Sequence, residues 1–175
     1  MGRMLGGVVH PAVLAGLIAL LFAGYAVAHN ISADDARFVE AVVGVAIGPF
    51  VYLGAKHMVT GYDHILYLVG VLFFLARPRD IVLYVTLFTL GHSLTLVTGV
   101  LAGWRINEHL IDAIIGFSIV YKAFENVGGF DRLGVAPDTR VAVFGFGLCH
   151  GMGLATKLQG FAMDPVGLVA NILSF

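Results

Sequence analysis

The chain has 175 residues, of which 59% are hydrophobic and only 12% charged, with a mean hydropathy of +0.93; a soluble domain is nearer one quarter charged, so composition points to a membrane protein of one domain. Ten Lys and Arg against eleven Asp and Glu give a formal charge of −1, which carries no sign of a nucleic-acid or other polyanionic partner. The single cysteine, Cys149, excludes an internal disulfide framework.

A helix that crosses about 30 Å of hydrocarbon needs roughly 20 apolar residues at about 1.5 Å each. Residues 8–28 are the first such stretch and follow Arg3. Residues 1–28 are expected to form an N-terminal transmembrane helix or an uncleaved signal-like segment. Cleavage after "AVA" at 26–28 is the alternative, and it would leave His29 as an amino terminus able to chelate copper. Residues 29–175 then form the transmembrane helical domain. Beyond the polar "NISADDAR", residues 38–57 are interrupted by Gly44, Gly48, Pro49 and Gly54, and read as a broken or interfacial helix. Residues 63–76, 81–101, 109–126 and 140–156 read as spans. Residues 164–175 cover only about 18 Å as helix, so this C-terminal helix is expected to be incomplete, with the natural chain continuing or a half-span packing on something else. The expected fold is all-α, a polytopic transmembrane helical bundle of about six membrane segments.

Loop charge gives an orientation. If the spans alternate, Arg3, Arg77, Arg79, Lys122, Arg132 and Arg140 share one side, and "NISADDAR", "GWRINEH" and "KLQGFAMD" share the other. The basic side is expected to be cytoplasmic. The chain is thus expected in a bacterial inner membrane, with its N-terminus cytoplasmic if residues 1–28 are retained.

Ionisable residues inside spans are costly and point to function. His64, His92 and His150 lie about 10 to 12 residues from the cytoplasmic ends of their segments, which puts all three about 15 to 18 Å above the inner surface. Asp63 adjoins His64. His57 precedes it by seven positions across "MVTGYD", where Gly61 permits a turn. "FTLGHSLTL" at 88–96 aligns with "FGLCHGMGL" at 146–154, pairing His92 with His150. "DHIL" at 63–66 and "EHLI" at 108–111 form a fainter echo. The alignment suggests an internal repeat of the kind that lines midplane sites in transporters. Gly91, Ser93, Gly145, Gly147, Gly151 and Gly153 fit close helix packing.

Imidazole with carboxylate suits Ni, Co, Zn, Cu or Fe as a divalent ion, which the residues do not distinguish. Asp63 either ligates or orients a ligating histidine. Cys149 sits about 100° round the helix from His150 and reads as a small packing residue. His92 and His150 at equal depth also suit axial haem ligation, but no multi-histidine repeat of the membrane hydroxylase kind accompanies them. Haem and a redox enzyme are therefore the minor reading.

"GAKHMVTGYDHILYLVG", "FTLGHSLTL", "ENVGG" and "FGFGLCHGMGLA" resemble, in that order, motifs of the HupE/UreJ-like membrane proteins, a hydrogenase and urease accessory group associated with nickel or cobalt uptake. The similarity covers about residues 50–156. It implies that His57, Asp63, His64, His92, Glu108, Glu125, Asn126 and His150 are the family's polar positions, in a permease for a divalent transition-metal ion. His57, Asp63, His64, His92 and His150 are the expected metal ligands, and Glu108, Glu125 and Asn126 the expected transport path. For Glu125 a local ion pair with Lys122 is the alternative. The family continues with an Asn-x-Gly-Val-Glu-type helix where this sequence stops, so a ligand from that helix is expected to be missing. No catalytic residue is expected. The expected partners are the lipid bilayer, the metal ion and other membrane subunits, with no nucleic acid. The alternative function is a non-catalytic or metal- or haem-binding subunit of a larger membrane complex.

Overall fold

The computed structural model describes residues 32–175, so the expectations for the first helix, its cleavage site and His29 lie outside the described residues. Among the described residues all regular structure is helical: α1 (Ala33–Ala41), α2 (Ile47–Thr60), α3 (Tyr62–Leu72), α4 (Pro78–Ala102), α5 (Glu108–Asn126), α6 (Gly129–Arg132), α7 (Thr139–Leu158) and α8 (Leu168–Ser174). Local chemistry sets the ends. Pro78 opens α4, where a missing N–H costs nothing, and Gly103 closes it at φ +66°. The side chains of Asn107 and Asp138 cap α5 and α7 by accepting from Leu110 N and Arg140 N.

Two of these helices, α4 and α7, are long and apolar enough to cross a membrane. Their 25 and 20 residues span about 37 and 30 Å. Helix α5 has 19 residues but carries Glu108, Asp112, Lys122 and Glu125. The segment expected as a span at 63–76 stops at Leu72. Its 11 residues cover about 16 Å, well short of the hydrocarbon thickness. What precedes it compensates in part, because α2 leads directly into α3 through Gly61, whose extended backbone (φ −73°, ψ 94°) separates the two helices.

The interruption expected within 38–57 falls at residues 42–46, where Gly44 adopts φ +78°. Pro49 follows in the first turn of α2, which tolerates it. The far end of the chain supplies hydrogen bonds that this break lacks. Asp164 Oδ2 accepts from Gly44 N at 2.6 Å, Asn171 Oδ1 accepts from Ala46 N at 2.8 Å, and Asn171 Nδ2 donates to Gly44 O at 3.0 Å. Asn171 is buried, so Asn171→Ala strips partners from main-chain groups that water reaches poorly. We expect a loss of about 1–3 kcal/mol, read from thermal unfolding in detergent. An unchanged midpoint would show the clamp to be dispensable.

Helix α1 is tied to α2 by Lys56, whose Nζ donates to both oxygens of Asp35 at 2.9 and 2.7 Å. Partial burial draws the Asp35 carboxyl upward, but hydrogen bonds from Lys56 and Ser32 outweigh it and hold the group below its ordinary 3.8. The tie is therefore present above the ordinary carboxylate range and is lost only as pH falls through the lowered value.

Helices α4 and α7 form the most extensive helix pair. A Cβ on Gly91 would lie 2.5 Å from Phe144 O, one on Gly147 2.5 Å from Phe88 O, and one on Gly151 2.0 Å from His92 O. Main chains therefore touch. Contacts ascend together along both helices, from Phe88 with Gly147 to Gly99 with Ala155, so the pair is parallel. Thr95 Oγ1 donates across it to Leu148 O at 2.7 Å. Two members of the expected packing set do not take part. Ser93 is exposed, and Gly145 has nothing within 4 Å of a Cβ position. Each lies two residues, about 200° of helix rotation, from a glycine that faces the partner.

Candidate metal centre

The junction of α2 and α3 builds half of the centre. His57 stands in the last turn of α2, and Asp63 and His64 in the first turn of α3. Gly61 lets the chain turn between them, donating its N–H to His57 O at 2.8 Å. A Cβ there would fall 2.6 Å from His64 Nδ1 and 3.3 Å from Asp63 Oδ1, so a larger residue would displace the imidazole. The parallel pair supplies the rest, His92 from α4 and His150 from α7.

The four rings converge. His64 is central, with ring centroids 5.0 Å from His57, 5.2 Å from His92 and 5.0 Å from His150. His57 and His92 are 6.2 Å apart. One ring nitrogen from each of His57, His64 and His92 lies within 4.8 Å of the others. Nitrogens bound to one ion at about 2.1 Å can stand no more than about 4.2 Å apart, so small side-chain rotations close the set. His64 and His150 are fully buried, and Asp63 and His92 nearly so.

Asp63 faces two of the rings, with Oδ1 3.3 Å from His64 Nδ1 and Oδ2 3.9 Å from His150 Nε2. His150 Nδ1 stands 2.8 Å from Phe146 O. A carbonyl only accepts, so Nδ1 carries a proton, and Nε2 is the nitrogen turned toward Asp63. His92 Nε2 is buried without a hydrogen-bond partner among the described residues, the situation a ligand relieves.

Tyr67 and Phe88 complete the wall, both essentially without exposure. Their rings lie 5.6 and 5.1 Å from His150, and Phe88 is 5.8 Å from His64. Sequence reasoning missed both, although helical spacing could have found them. Tyr67 is three residues after His64 and Phe88 four before His92, so each shares a face with its histidine.

The expected path residues lie elsewhere. Glu108 is exposed in the first turn of α5. Glu125 accepts from Lys122 Nζ at 2.9 Å and from Thr139 Oγ1, so the local ion pair is present. Asn126 Nδ2 donates to Gly70 O at 2.7 Å. Gly70 follows His64 by six residues, about 9 Å along α3, and Asn126 thus stands well below the histidine layer.

The described residues form an all-helical protein with a buried cluster of imidazoles around one carboxylate. A family model described as HupE / UreJ protein matches residues 33–175. The chain belongs to the HupE/UreJ family, which is generally linked to nickel or cobalt uptake or to accessory roles. No curated protein and no solved structure matches the chain.

Proposed function

We propose that the chain is a membrane permease for a divalent transition-metal ion of the nickel or cobalt class, holding its cargo in transit with His57, Asp63, His64, His92 and His150. The observation that carries this reading is the convergence of the His57, His64 and His92 nitrogens within 4.8 Å beside a buried carboxylate. Neutral imidazoles supply lone pairs suited to such ions, and Asp63 offsets the charge of the cargo. No reaction is catalysed. Haem is disfavoured by the main-chain contact of α4 with α7 at Gly91, Gly147 and Gly151, which leaves no slot for a porphyrin between His92 and His150.

The membrane setting belongs to the same proposal. Leu90 and Leu94 on α4, Phe117 and Val120 on α5 and Val141 on α7 are all more than half exposed, an outward apolar surface that suits lipid or further membrane subunits. About six membrane segments result if residues 8–28 cross and α2 and α3 act as broken segments beside α4, α5 and α7. The basic loops favour an inner membrane with those loops in the cytoplasm. Glu108 then stands on the entry side and Glu125 and Asn126 on the exit side.

Elemental analysis of the full chain, purified in detergent and dialysed against cobalt(II) or nickel(II), tests the proposal. One bound ion per chain is expected. Occupancy should fall with pH, because ligation requires neutral imidazole. A chain that takes up no stoichiometric metal at neutral pH overturns it.

A further inference from the structure

Between α1 and the rest of the bundle lies a cavity of about 230 Å³, whose polar lining is Ser32, Asp35, Lys56, His57, Thr60 and Tyr62. A single water needs only about 10–15 Å³, so a hydrated ion fits. Of the five residues of the histidine centre, His57 alone lines this cavity. It is partly exposed, whereas Asp63, His64, His92 and His150 are buried. Its ring also packs against His64 and His92 on its inner side. His57 thus touches both compartments.

In the cavity wall, the two Asp35 oxygens close on one cation, the Lys56 ammonium, at 2.7 and 2.9 Å. A chelating carboxylate holds a metal ion in the same way. The pair is partly solvent-exposed, and such pairs contribute little to stability, so an arriving dication displaces the ammonium at small cost. We infer that this cavity is a loading site for the divalent cation, with Asp35 as its first protein ligand, Lys56 as a tethered cation that keeps the place, and His57 as the residue that hands the ion to His64 and His92. The inference rests on the permease reading.

The plain alternative is that Asp35 and Lys56 only latch α1 onto α2. Opposite charge changes separate the two readings. Cobalt(II) loading of the purified full chain is followed by stopped-flow absorbance for the parent, Asp35→Asn, Lys56→Gln and Asp34→Asn. Asp34 is the control, because it neighbours Asp35 on α1 but is exposed and does not line the cavity. We expect Asp35→Asn to load on the order of 10-fold more slowly and Lys56→Gln several-fold faster. Both should reach the parent's final stoichiometry, and Asp34→Asn should match the parent throughout. A latch would make both cavity variants change in the same direction, and that result overturns the loading site. So does an equal slowing by Asp34→Asn, which would mark a general charge effect. Identical rates in a parent that binds cobalt overturn the loading site alone, whereas a parent that binds none overturns the permease reading with it.

Discussion

His92→Ala is expected to weaken cobalt or nickel binding by about 100-fold or more while the chain stays folded. Even changes to groups that only orient a ligand cost about 10- to 100-fold in metal affinity, and His92 is placed as a ligand itself. Its Nε2 is buried without a hydrogen-bond partner among the described residues, and its ring lies against both His57 and His64. Losing it leaves His57 and His64 on one junction, with nothing from α4 to close the opposite side. His109→Ala is the matched control, since that side chain is exposed on α5. Titration of both variants with cobalt(II) decides the matter. Equal affinity in His92→Ala and the parent would mean that the histidines pack rather than ligate.

The second large effect comes from adding one methyl group. Gly151→Ala puts a Cβ 2.0 Å from His92 O and 2.4 Å from Thr95 Oγ1. A main-chain oxygen cannot swing aside, so α4 and α7 must separate. Overpacking of this kind costs typically 1–3 kcal/mol, and with backbone as the obstacle we expect the upper end, about 3 kcal/mol. The same substitution at Gly145 meets nothing within 4 Å and should stabilise by about 0.5–1 kcal/mol through helix propensity. Thermal unfolding of the two variants should therefore shift in opposite directions. If Gly151→Ala melts with the parent, the main-chain contact is not there.

Helical rise made the buried layer legible. A fixed 1.5 Å per residue allows depth to be counted within a straight segment, and His64, His92 and His150 fall together both by that count and in the fold. His57 lies across Gly61, where the count no longer holds. The sequence places it only seven positions before His64 across a turn, and the fold brings its ring to 5.0 Å from His64. The match of "FTLGHSLTL" with "FGLCHGMGL" paired His92 with His150, and the two helices that carry them, α4 and α7, do pack together, in parallel. The choice of packing residues was only partly legible, because small size was read without rotation. Gly99, eight residues from Gly91 and on the same face, meets Ala155, whereas Ser93 and Gly145 point away. The hydrogen bonds from Asp164 and Asn171 to Gly44 and Ala46 had no signal at all. They join residues at least 120 positions apart, and a lone polar side chain carries no periodicity that names its partner.

The touching backbones of α4 and α7 have a further consequence. The spacing between the anchor points of His92 and His150 is set by main-chain contact rather than by how well bulky side chains fill a gap. Exchanges among the neighbouring leucines and valines can therefore change stability without retuning that spacing. His57 and His64 hang instead from the joint at Gly61, so the two halves of the four-ring cluster are anchored in different ways, one by main-chain contact and one by a turn.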